Sequence, residues 1–394
     1  MNKSQLPPTS SGLLNSPRNR SIFFQVLALL AVILCAAYFT SNMFDNIEKR
    51  GITTGFAFLG DTAGFGVSQS LIPFSDSTST FLDVFIVGLL NTLLVAVIGI
   101  VCASVLGLLI GVGRLSSNYL IAKLSMVYIE TFRNIPILLQ ILFWYNVVLA
   151  ALPSPRQSIS YFESVFINNR GLIIPDPIFE NGSIFILIAF IIACVSVVFL
   201  AKWAIKRHDQ TGQEFPLIKV SLAIIILSPL FVYFISGQPI SADYPVLKGF
   251  NFKGGLTIIP ELLALIFALS IYTATYIAEA VRAGIEAVPS GQKEAAKSLG
   301  LKDYIILRKV VLPQALRVII PPVINQYLNL VKNSSLATAI GYPEIVTLFS
   351  GTTLNQVGQA IEIILMTMAV YLTFSIVISL LLNWVNAKME IKGR

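Results

Sequence analysis

The sequence predicts an all-α, polytopic membrane protein with about eight transmembrane helices. Of its 394 residues, 55% are hydrophobic and only 12% are charged, whereas roughly one-quarter of the residues in an average globular domain are charged. Apolar runs long enough to cross about 30 Å of hydrocarbon recur along the chain. Strands of a membrane β-barrel would alternate in short segments instead, so we exclude that class.

The apolar runs place the predicted spans at 22–44, 83–113, 124–152, 182–201, 218–236, 258–286, 315–340 and 359–387. Residues 1–21 are predicted as a cytoplasmic tail, because Ser, Pro and Asn dominate them. We expect the external segment 45–80 to contain little regular structure. The external segment 153–181 is predicted to carry a short amphipathic helix around Phe162, Val165 and Phe166, and 237–257 to be rich in turns.

The basic residues set the predicted orientation. With the N-terminus inside, most Lys and Arg residues fall on the cytoplasmic side, including those of 202–219 and 287–314. The external side keeps only Lys49, Arg50, Arg156, Arg170, Lys248 and Lys253. The positive-inside rule therefore places both termini in the cytoplasm. The formal net charge of +7 is explained by this orientation, and we expect no nucleic-acid partner.

Several kinds of chemistry find no support in the residues. Cys35, Cys102 and Cys194 all fall within apolar spans, at spacings that suit neither a metal site nor a disulfide framework. His208 lies among charged residues of a cytoplasmic turn and is more often inert than functional in such a place. The chain carries no Gly-x-x-x-x-Gly-Lys-Ser/Thr phosphate loop. We expect no cofactor, no metal and no catalytic residues in this chain.

The seventh predicted span carries a polar stripe, by which we mean Pro322, Asn325, Gln326, Asn329, Lys332 and Asn333. Its members recur every three or four residues, so they share one helix face. A central Lys costs about 3 kcal/mol in lipid on insertion scales, so this face is expected to meet protein or a water-filled cavity. One interpretation is a translocation path in which Lys332 meets a substrate carboxylate. The other is a set of contacts between helices, with Lys332 paired to an acid.

Two further spans contain charged residues. In the third, Glu130 and Arg133 are three residues apart and are expected to form either a structural ion pair or part of a path or gate with Asn134. Gln140 is predicted on the same side as Arg133, two turns away. In the sixth, the same spacing predicts a structural pair between Glu279 and Arg282.

The segment 287–314 is polar and joins two apolar spans. A short helix is predicted to end at Gly300, since Gly suits the left-handed position after a helix. Pro313 is predicted to mark the bend into the seventh span. The result is a helix-turn-helix in the cytoplasm, with Glu294 and Gly300 near its tip. The plain alternative is an interfacial loop with a solvated charged face.

This segment resembles the coupling loop of bacterial ABC importer permeases: Glu294-Ala295-Ala296, three residues, Gly300, then Leu312-Pro313. The resemblance extends to stretches typical of polar amino acid importer permeases and of the longer, general L-amino-acid branch. These stretches are Gly88–Leu93, Glu130–Pro136, Tyr276–Ile285, Leu312–Arg317, Lys332–Leu336, Asn168–Leu172 and Lys248–Asn251.

The resemblance implies a type I ABC importer permease core with extra N-terminal and central spans, in a bacterial inner membrane. Residues 22–82 would hold the extra first span and an external loop. The permease domain would cover 83–390, with external segments and two extra spans inserted at 153–257 and the coupling loop at 287–314. Implied partners are an ABC ATPase subunit, a second permease (a different chain favoured), an external solute-binding protein, an amino acid and membrane lipids.

Two sets of site residues follow from the resemblance. The substrate path would include Arg133, Asn134, Gln326, Asn329, Lys332 and Asn333. The coupling contacts to the ATPase would include Glu294, Ala295, Ala296, Gly300, Leu312 and Pro313. Many short relatives carry Glu where Gln326 stands, so we expect neutral polar or acidic amino acids to be preferred over arginine and lysine.

Two other classes were weighed. An ion-coupled secondary transporter would use the polar helices as its site, but such proteins often show inverted repeats, and no convincing repeat relates the two halves. A membrane-embedded enzyme would need a metal-ligand cluster or a suitably placed nucleophile and base. The prediction is therefore an amino acid importer permease that is not itself an enzyme.

Overall fold

The computed structural model describes residues 17–49, 51, 54–213 and 215–389, and most of these residues are helical. The predicted tail lies largely outside this part of the chain. In chain order the helices are α1 (Pro17–Lys49), α2 (Phe81–Arg114), α3 (Tyr119–Asn134), α4 (Ile137–Phe143), α5 (Ser183–Thr211), α6 (Leu217–Ile235), α7 (Pro260–Glu286), α8 (Ser290–Ser298), α9 (Asp303–Ile306), α10 (Leu312–Asn333), α11 (Leu354–Val357) and α12 (Ala360–Met389).

The polytopic, mainly helical fold is confirmed. Among the described residues, six helices are individually long and apolar enough to cross a membrane: α1, α2, α5, α6, α7 and α12. A seventh span results if the bent pair formed by Tyr119–Asn134 and Ile137–Leu149 counts as one. The predicted span 315–340 becomes α10 followed by a 3-10 helix, Ser334–Ile340. Helix α10 contains prolines and the polar stripe, so it is less apolar than the six membrane-spanning helices.

The predicted third span is not one continuous helix. Its two halves meet at an angle of 101° between Asn134 and Ile137. Pro136 has no amide proton and its ring disfavours helical backbone in the residue before it, so the helix stops there. Ile135 accordingly has an extended backbone, with φ −89° and ψ 126°. Gln140 therefore does not share a face with Arg133, and that expectation was wrong.

The segments predicted to be external, 153–181 and 237–257, form small antiparallel sheets. The strands are β1 (Ile159–Tyr161), β2 (Val165–Asn168), β3 (Gly171–Ile174), β4 (Asp176–Phe179), β5 (Ile240–Asp243), β6 (Val246–Lys248), β7 (Asn251–Lys253) and β8 (Leu256–Ile258). One sheet has the order β1-β2-β3-β8, and two further pairs are β4-β5 and β6-β7.

The predicted amphipathic helix around Phe162 is wrong, because Val165 and Phe166 belong to a strand. Branched and aromatic side chains favour extended backbone, and tight turns close the hairpins. In the β6–β7 hairpin, Lys248 pairs with Asn251 across a two-residue turn. Gly249 opens that turn with φ +69°, a conformation that glycine adopts without a steric penalty. The predicted turns of 237–257 are thus the turns of hairpins.

Helix α7 lies at the centre of the helical core. It packs against α2, α3, α4 and α10, and it is more buried than the other membrane-spanning helices. Glycines allow the close approach of α2: a Cβ added at Gly107 would lie 2.6 Å from the Cβ of Ile277, and one at Gly111 would lie 2.8 Å from the carbonyl oxygen of Ala278. Small residues at such spacing are typical of tightly packed membrane helices.

Three helices contribute little to this core. Helices α5 and α6 pack mainly on each other as a hairpin, and α1 has no buried residue. Almost no residue in the most apolar part of α5 or α6 is buried within the chain. Their apolar surfaces are therefore left to lipid or to other subunits. These are the spans that the sequence analysis assigned as additions to the core.

Candidate functional site

The polar stripe of α10 faces away from the protein's own core. Pro322, Asn325, Asn329 and Lys332 are exposed, and Gln326 and Asn333 are partly buried. The buried residues of α10 are apolar: Ala315, Ile319, Leu330 and Val331. The predicted amphipathic helix is confirmed, and its polar face is left uncovered by the described part of the chain.

Lys332 has no carboxylate partner in the described structure. The ion pairs found there join Arg282 to Glu279 and Glu286, and Lys297 to Asp303. The Ser335 hydroxyl donates a hydrogen bond of 2.8 Å to the backbone carbonyl of Lys332, which does not involve the ammonium group. The interpretation in which Lys332 pairs with an acid of its own chain is therefore not supported. An exposed ammonium group at this position is available to an anionic group from outside the chain.

Arg133 and Asn134 lie at the end of α3, directly before the break at Pro136. The Arg133 guanidinium lies over the ring of Tyr276 in α7, 5.4 Å from the ring centroid. Such a cation–π contact contributes about 0.5–1 kcal/mol at an exposed site. Glu130 is not within ion-pair distance of Arg133, so the first of the two alternatives, a structural ion pair, is not supported. The Asn134 amide donates instead to the backbone carbonyl of Glu130 at 2.7 Å.

The two groups of predicted path residues do not touch. Arg133 and Asn134 belong to α3, the polar stripe belongs to α10, and both helices pack against α7. Within the described residues, no hydrogen bond or ion pair joins the two groups. The arrangement therefore leaves two separate polar, exposed surfaces, on two helices that both pack against α7.

The expected pair between Glu279 and Arg282 is confirmed. Both carboxylate oxygens of Glu279 accept from the Arg282 Nε at 3.1 Å. Glu286 contacts the same guanidinium from the next helical turn. This cluster lies at the end of α7 that leads into α8. The two carboxylates neutralise the Arg282 guanidinium at the end of the apolar part of α7.

The loop 287–314 has the predicted helix-turn-helix form. Helix α8 ends at Ser298, and Gly300 follows with φ +73°, which is the left-handed conformation that commonly ends helices. Helix α9 then continues through a π-helical segment, Leu307–Val311, into α10. The wide π turns directly precede Pro313, which cannot donate a backbone hydrogen bond. The chain thus stays helical where a bend was predicted.

The structure divides the predicted coupling residues into two groups. Glu294, Ala295, Gly300 and Pro313 are exposed, whereas Ala296 is buried and Leu312 is partly buried. Ala296 belongs to the same apolar cluster as Ile306 and Val311, so it anchors α8 to the loop. At the free tip, Leu299 is 78% exposed and Tyr304 is 67% exposed. Both large side chains stand exposed on an otherwise polar loop.

The sequence analysis missed a buried polar cluster around Glu344. This residue is fully buried, and its carboxyl group accepts from the backbone amides of Val346 and Thr347 at 2.9 and 2.8 Å. The hydroxyls of Thr338, Thr347 and Tyr371 also contact it, at 3.0 to 3.2 Å. Its signal in the sequence was a lone acid in the apolar stretch that follows Gly341.

The chemistry of the described residues suits transport better than catalysis. They contain no group of three or more His, Cys, Asp or Glu side chains that could hold a metal ion. What they present is a polar helix face, a cationic surface at the α3–α4 break and an exposed loop with an apolar tip.

Comparison with known proteins identifies relatives over nearly the whole chain. A family model described as the inner membrane component of binding-protein-dependent transport systems matches residues 215–391. The putative amino-acid ABC transporter permease protein YhdX of Escherichia coli is 53% identical over 379 residues, covering 96% of each chain. The general L-amino acid transport system permease protein AapQ of Rhizobium johnstonii is 51% identical, covering 96% of this chain and 94% of that protein.

A third relative carries a more specific description. The glutamate/glutamine/aspartate/asparagine transport system permease protein BztB of Rhodobacter capsulatus is 38% identical over 415 residues. The match covers 98% of this chain and 97% of that protein. The similarity thus includes the inserted external segments and the additional spans. The chain belongs to the family of amino-acid ABC transporter permeases, multi-pass inner membrane subunits of ATP-driven importers.

Proposed function

We propose that this subunit lines the path for neutral polar and acidic L-amino acids together with a second permease. The observation that carries the proposal is the uncovered polar stripe of α10, with Lys332 exposed and without an acid partner in the described chain. Because lipid is a costly surrounding for such a face, a second subunit facing it would enclose a polar cavity. The ammonium group of Lys332 would then bind a substrate carboxylate.

The choice of substrates agrees with the relatives. AapQ is described as part of a general L-amino acid system, and BztB as part of a system for glutamate, glutamine, aspartate and asparagine. Gln326 offers an amide, not a carboxylate, beside Lys332. A cationic amino acid would meet the positive charge of Lys332 with no nearby acid to compensate, whereas a second carboxylate on the substrate would be attracted.

A different second permease is favoured over a second copy. Two copies would bring two Lys332 ammonium groups to one shared cavity. Like charges placed together across an interface cost several kcal/mol. We therefore propose a heterodimer, with a separate ATPase subunit docked on the loop 287–314 and an external binding protein delivering the amino acid. Both termini would lie in the cytoplasm, on the side of that loop.

The proposed coupling uses the exposed tip of the loop. Movement of the ATPase would reach α10 through α8, which is anchored by Ala296, and through the continuous helical stretch that begins with α9. Glu294 and Leu299 are exposed and free to contact the ATPase. The ion-coupled alternative lacks support, since the relatives are ABC permeases.

The test is transport and ATP hydrolysis by the complex purified from its native membrane and reconstituted in vesicles. Glu294→Lys is expected to lower amino-acid uptake at least about tenfold, the effect of losing roughly 1.4 kcal/mol of contact energy, with normal membrane insertion. Asp209→Lys reverses an exposed acid on α5 and serves as the matched control. Normal uptake by Glu294→Lys would remove the basis for the coupling assignment.

A separate measurement addresses the path. Lys332→Gln is expected to weaken uptake of glutamate more than uptake of glutamine, because glutamate depends more on the positive charge. Lys123→Gln, an exposed cation on α3, is the control. Equal losses for both substrates would contradict a role of Lys332 in recognising carboxylates. Recovery of a homo-oligomer without a second permease would contradict the heterodimer.

A further inference from the structure

A basic pocket lies where the α5–α6 hairpin meets the segment that leads into α10. It has a volume of about 490 Å³, and its basic lining consists of Lys219, Arg308 and Lys309, with His208 beside them. The remaining wall is apolar and includes Ile205, Phe215 and Leu217. The pocket therefore combines positive charge with an apolar wall, and it is built from two parts of the chain about 90 residues apart in sequence.

The turn between α5 and α6 is held in a defined shape. The rings of Trp203 and Phe215 pack edge to face, with 5.3 Å between their centroids. The Arg207 guanidinium lies over the Trp203 ring at 5.4 Å, and it also donates to the Gln213 side chain. These contacts fix Phe215 beside the pocket, so the cavity has a structured wall.

The positive charge of the pocket is not neutralised by an ion pair at its two central residues. Neither Lys219 nor Arg308 pairs with a carboxylate in the described part of the chain, although Arg308 contacts the Tyr304 hydroxyl at 3.5 Å. Two cations without a carboxylate partner among the described residues favour an anionic ligand.

An apolar groove continues from the pocket along α6. It has a volume of about 760 Å³ and begins at Lys219, the residue that it shares with the basic pocket. Ile224, Leu227, Phe231 and Phe234 line it further along the helix. From Lys219 to Phe234 the helix rises about 22 Å. This is longer than half of the roughly 30 Å hydrocarbon core, so one acyl chain fits along it.

The basic pocket lies beside the ends of membrane-spanning helices. Lys219 is in the first turn of α6, one of the membrane-spanning helices, and Arg308 lies just before α10. We therefore expect both cations near the lipid phosphate groups, on the side of the membrane that holds the loop 287–314. Basic pockets between membrane helices on that side bind the head groups of anionic lipids.

We propose that the basic pocket and the α6 groove together bind one anionic phospholipid. Its phosphate group lies between Lys219 and Arg308, and one acyl chain lies along α6. The lipid connects the α5–α6 hairpin to the π-helical segment Leu307–Val311, which joins the loop helices to α10. The ligand is identified by its chemistry: a phosphate monoanion attached to an apolar chain.

The test is native mass spectrometry of the purified transporter complex after removal of lipid and titration with phosphatidylglycerol. Lys219→Gln and Arg308→Gln are each expected to lower retention of phosphatidylglycerol about fivefold, the effect of about 1 kcal/mol for one basic side chain near an anionic surface. Lys206→Gln and Lys123→Gln, which remove exposed cations outside the pocket, are expected to leave retention unchanged. Equal losses in all four variants would overturn the proposal.

Further measurements distinguish a phospholipid from a soluble anion and from a protein partner. Inorganic phosphate at the same concentration is expected not to displace the lipid, and displacement would show a site for soluble anions instead. Ile224→Trp fills the groove without changing charge and is expected to lower retention as well. A variant at Lys219 or Arg308 that loses the ATPase subunit while keeping the lipid would assign the pocket to that subunit. Lys219→Arg keeps the charge and is expected to restore binding, which excludes misfolding as the cause.

Discussion

The side-chain amide of Asn91 in α2 donates a hydrogen bond of 2.8 Å to the carbonyl of Pro343, 252 residues later in the chain. The same amide also donates to the carbonyl of Gln69 at 2.9 Å. Close packing supports this contact, because a Cβ at Gly88 would lie 2.9 Å from the Cα of Ile345. The external segment, α2 and the irregular stretch after α10 are thereby joined at one fully buried residue.

Replacing Asn91 with Leu is expected to lower the free energy of unfolding by about 1–3 kcal/mol, because two buried carbonyl groups lose their donor. Denaturant-induced unfolding of the detergent-purified protein measures the change. The matched control is Asn46→Leu, since Asn46 donates to the Asn42 carbonyl within the exposed helix α1. Equal stabilities for the two variants would show that the Asn91 contact contributes nothing.

The contact between α2 and α7 depends on Gly107. A Cβ at this position would lie 2.6 Å from Ile277 side-chain atoms and 3.0 Å from the carbonyl oxygen of Ala274. Gly107→Ala is therefore expected to destabilise the protein by about 1–3 kcal/mol through overpacking, as measured by thermal unfolding. Gly291→Ala is the control, because nothing lies within 4 Å of its added Cβ. An unchanged thermal stability of Gly107→Ala would mean that α2 and α7 can move apart at little cost.

The broken helix at Pro136 is held by Gln140. Its amide donates to the carbonyls of Phe132 and Ile135 at 2.9 and 3.0 Å, which replaces helical bonds that the break removes. Gln140→Leu is expected to cost about 1–3 kcal/mol of stability and to lower uptake, because Arg133 lies beside the break. Thermal unfolding and vesicle uptake measure the two effects. The exposed Gln210→Leu on α5 provides the comparison, and similar behaviour of both variants would contradict the prediction.

Selectivity is expected to respond to the charge at position 326. Gln326→Glu places a carboxylate in the polar stripe. Over a separation of about 10 Å, the attraction between this carboxylate and the side-chain charge of a bound arginine is about 1–2 kcal/mol at an effective dielectric constant of 20. Arginine should then compete with glutamine uptake about tenfold more strongly. Competition assays in vesicles measure this ratio, with Gln210→Glu as the charge-matched control. If arginine competes equally in all forms, residue 326 lies outside the path.

Much of the site was predictable because its signals are local. Six helices and the bent pair each overlap a predicted span, and the helix of the loop ends just before Gly300, as predicted. The stripe on α10 follows from helical periodicity alone. The pair between Glu279 and Arg282 required only a spacing of three residues. In each case the residues that interact are neighbours along one helix.

The structure departs from the sequence-based expectations for both local and long-range reasons. Gln140 was assigned to the face of Arg133, because a continuous helix was assumed across Pro136. A helix was expected around Phe162, although Val165 and Phe166 lie in a strand of the sheet β1-β2-β3-β8, whose last strand comes from beyond residue 250. Glu130 is three residues from Arg133, yet the guanidinium lies over Tyr276 instead. Long-range partners compete with local ones, and a single sequence does not specify which of them prevails.

The sequence by itself determined the membrane class, most of the spans, the helix-turn-helix loop and the polar face of α10. These follow from apolar length and from 3.6 residues per turn, both of which are properties of short stretches of chain. Tertiary structure alone decided which face of α10 stays uncovered, how Asn91 joins Pro343, and that Lys219 and Arg308 line one pocket. Each of these depends on close packing of segments far apart in the sequence, and periodicity within a single helix carries no information about its neighbours.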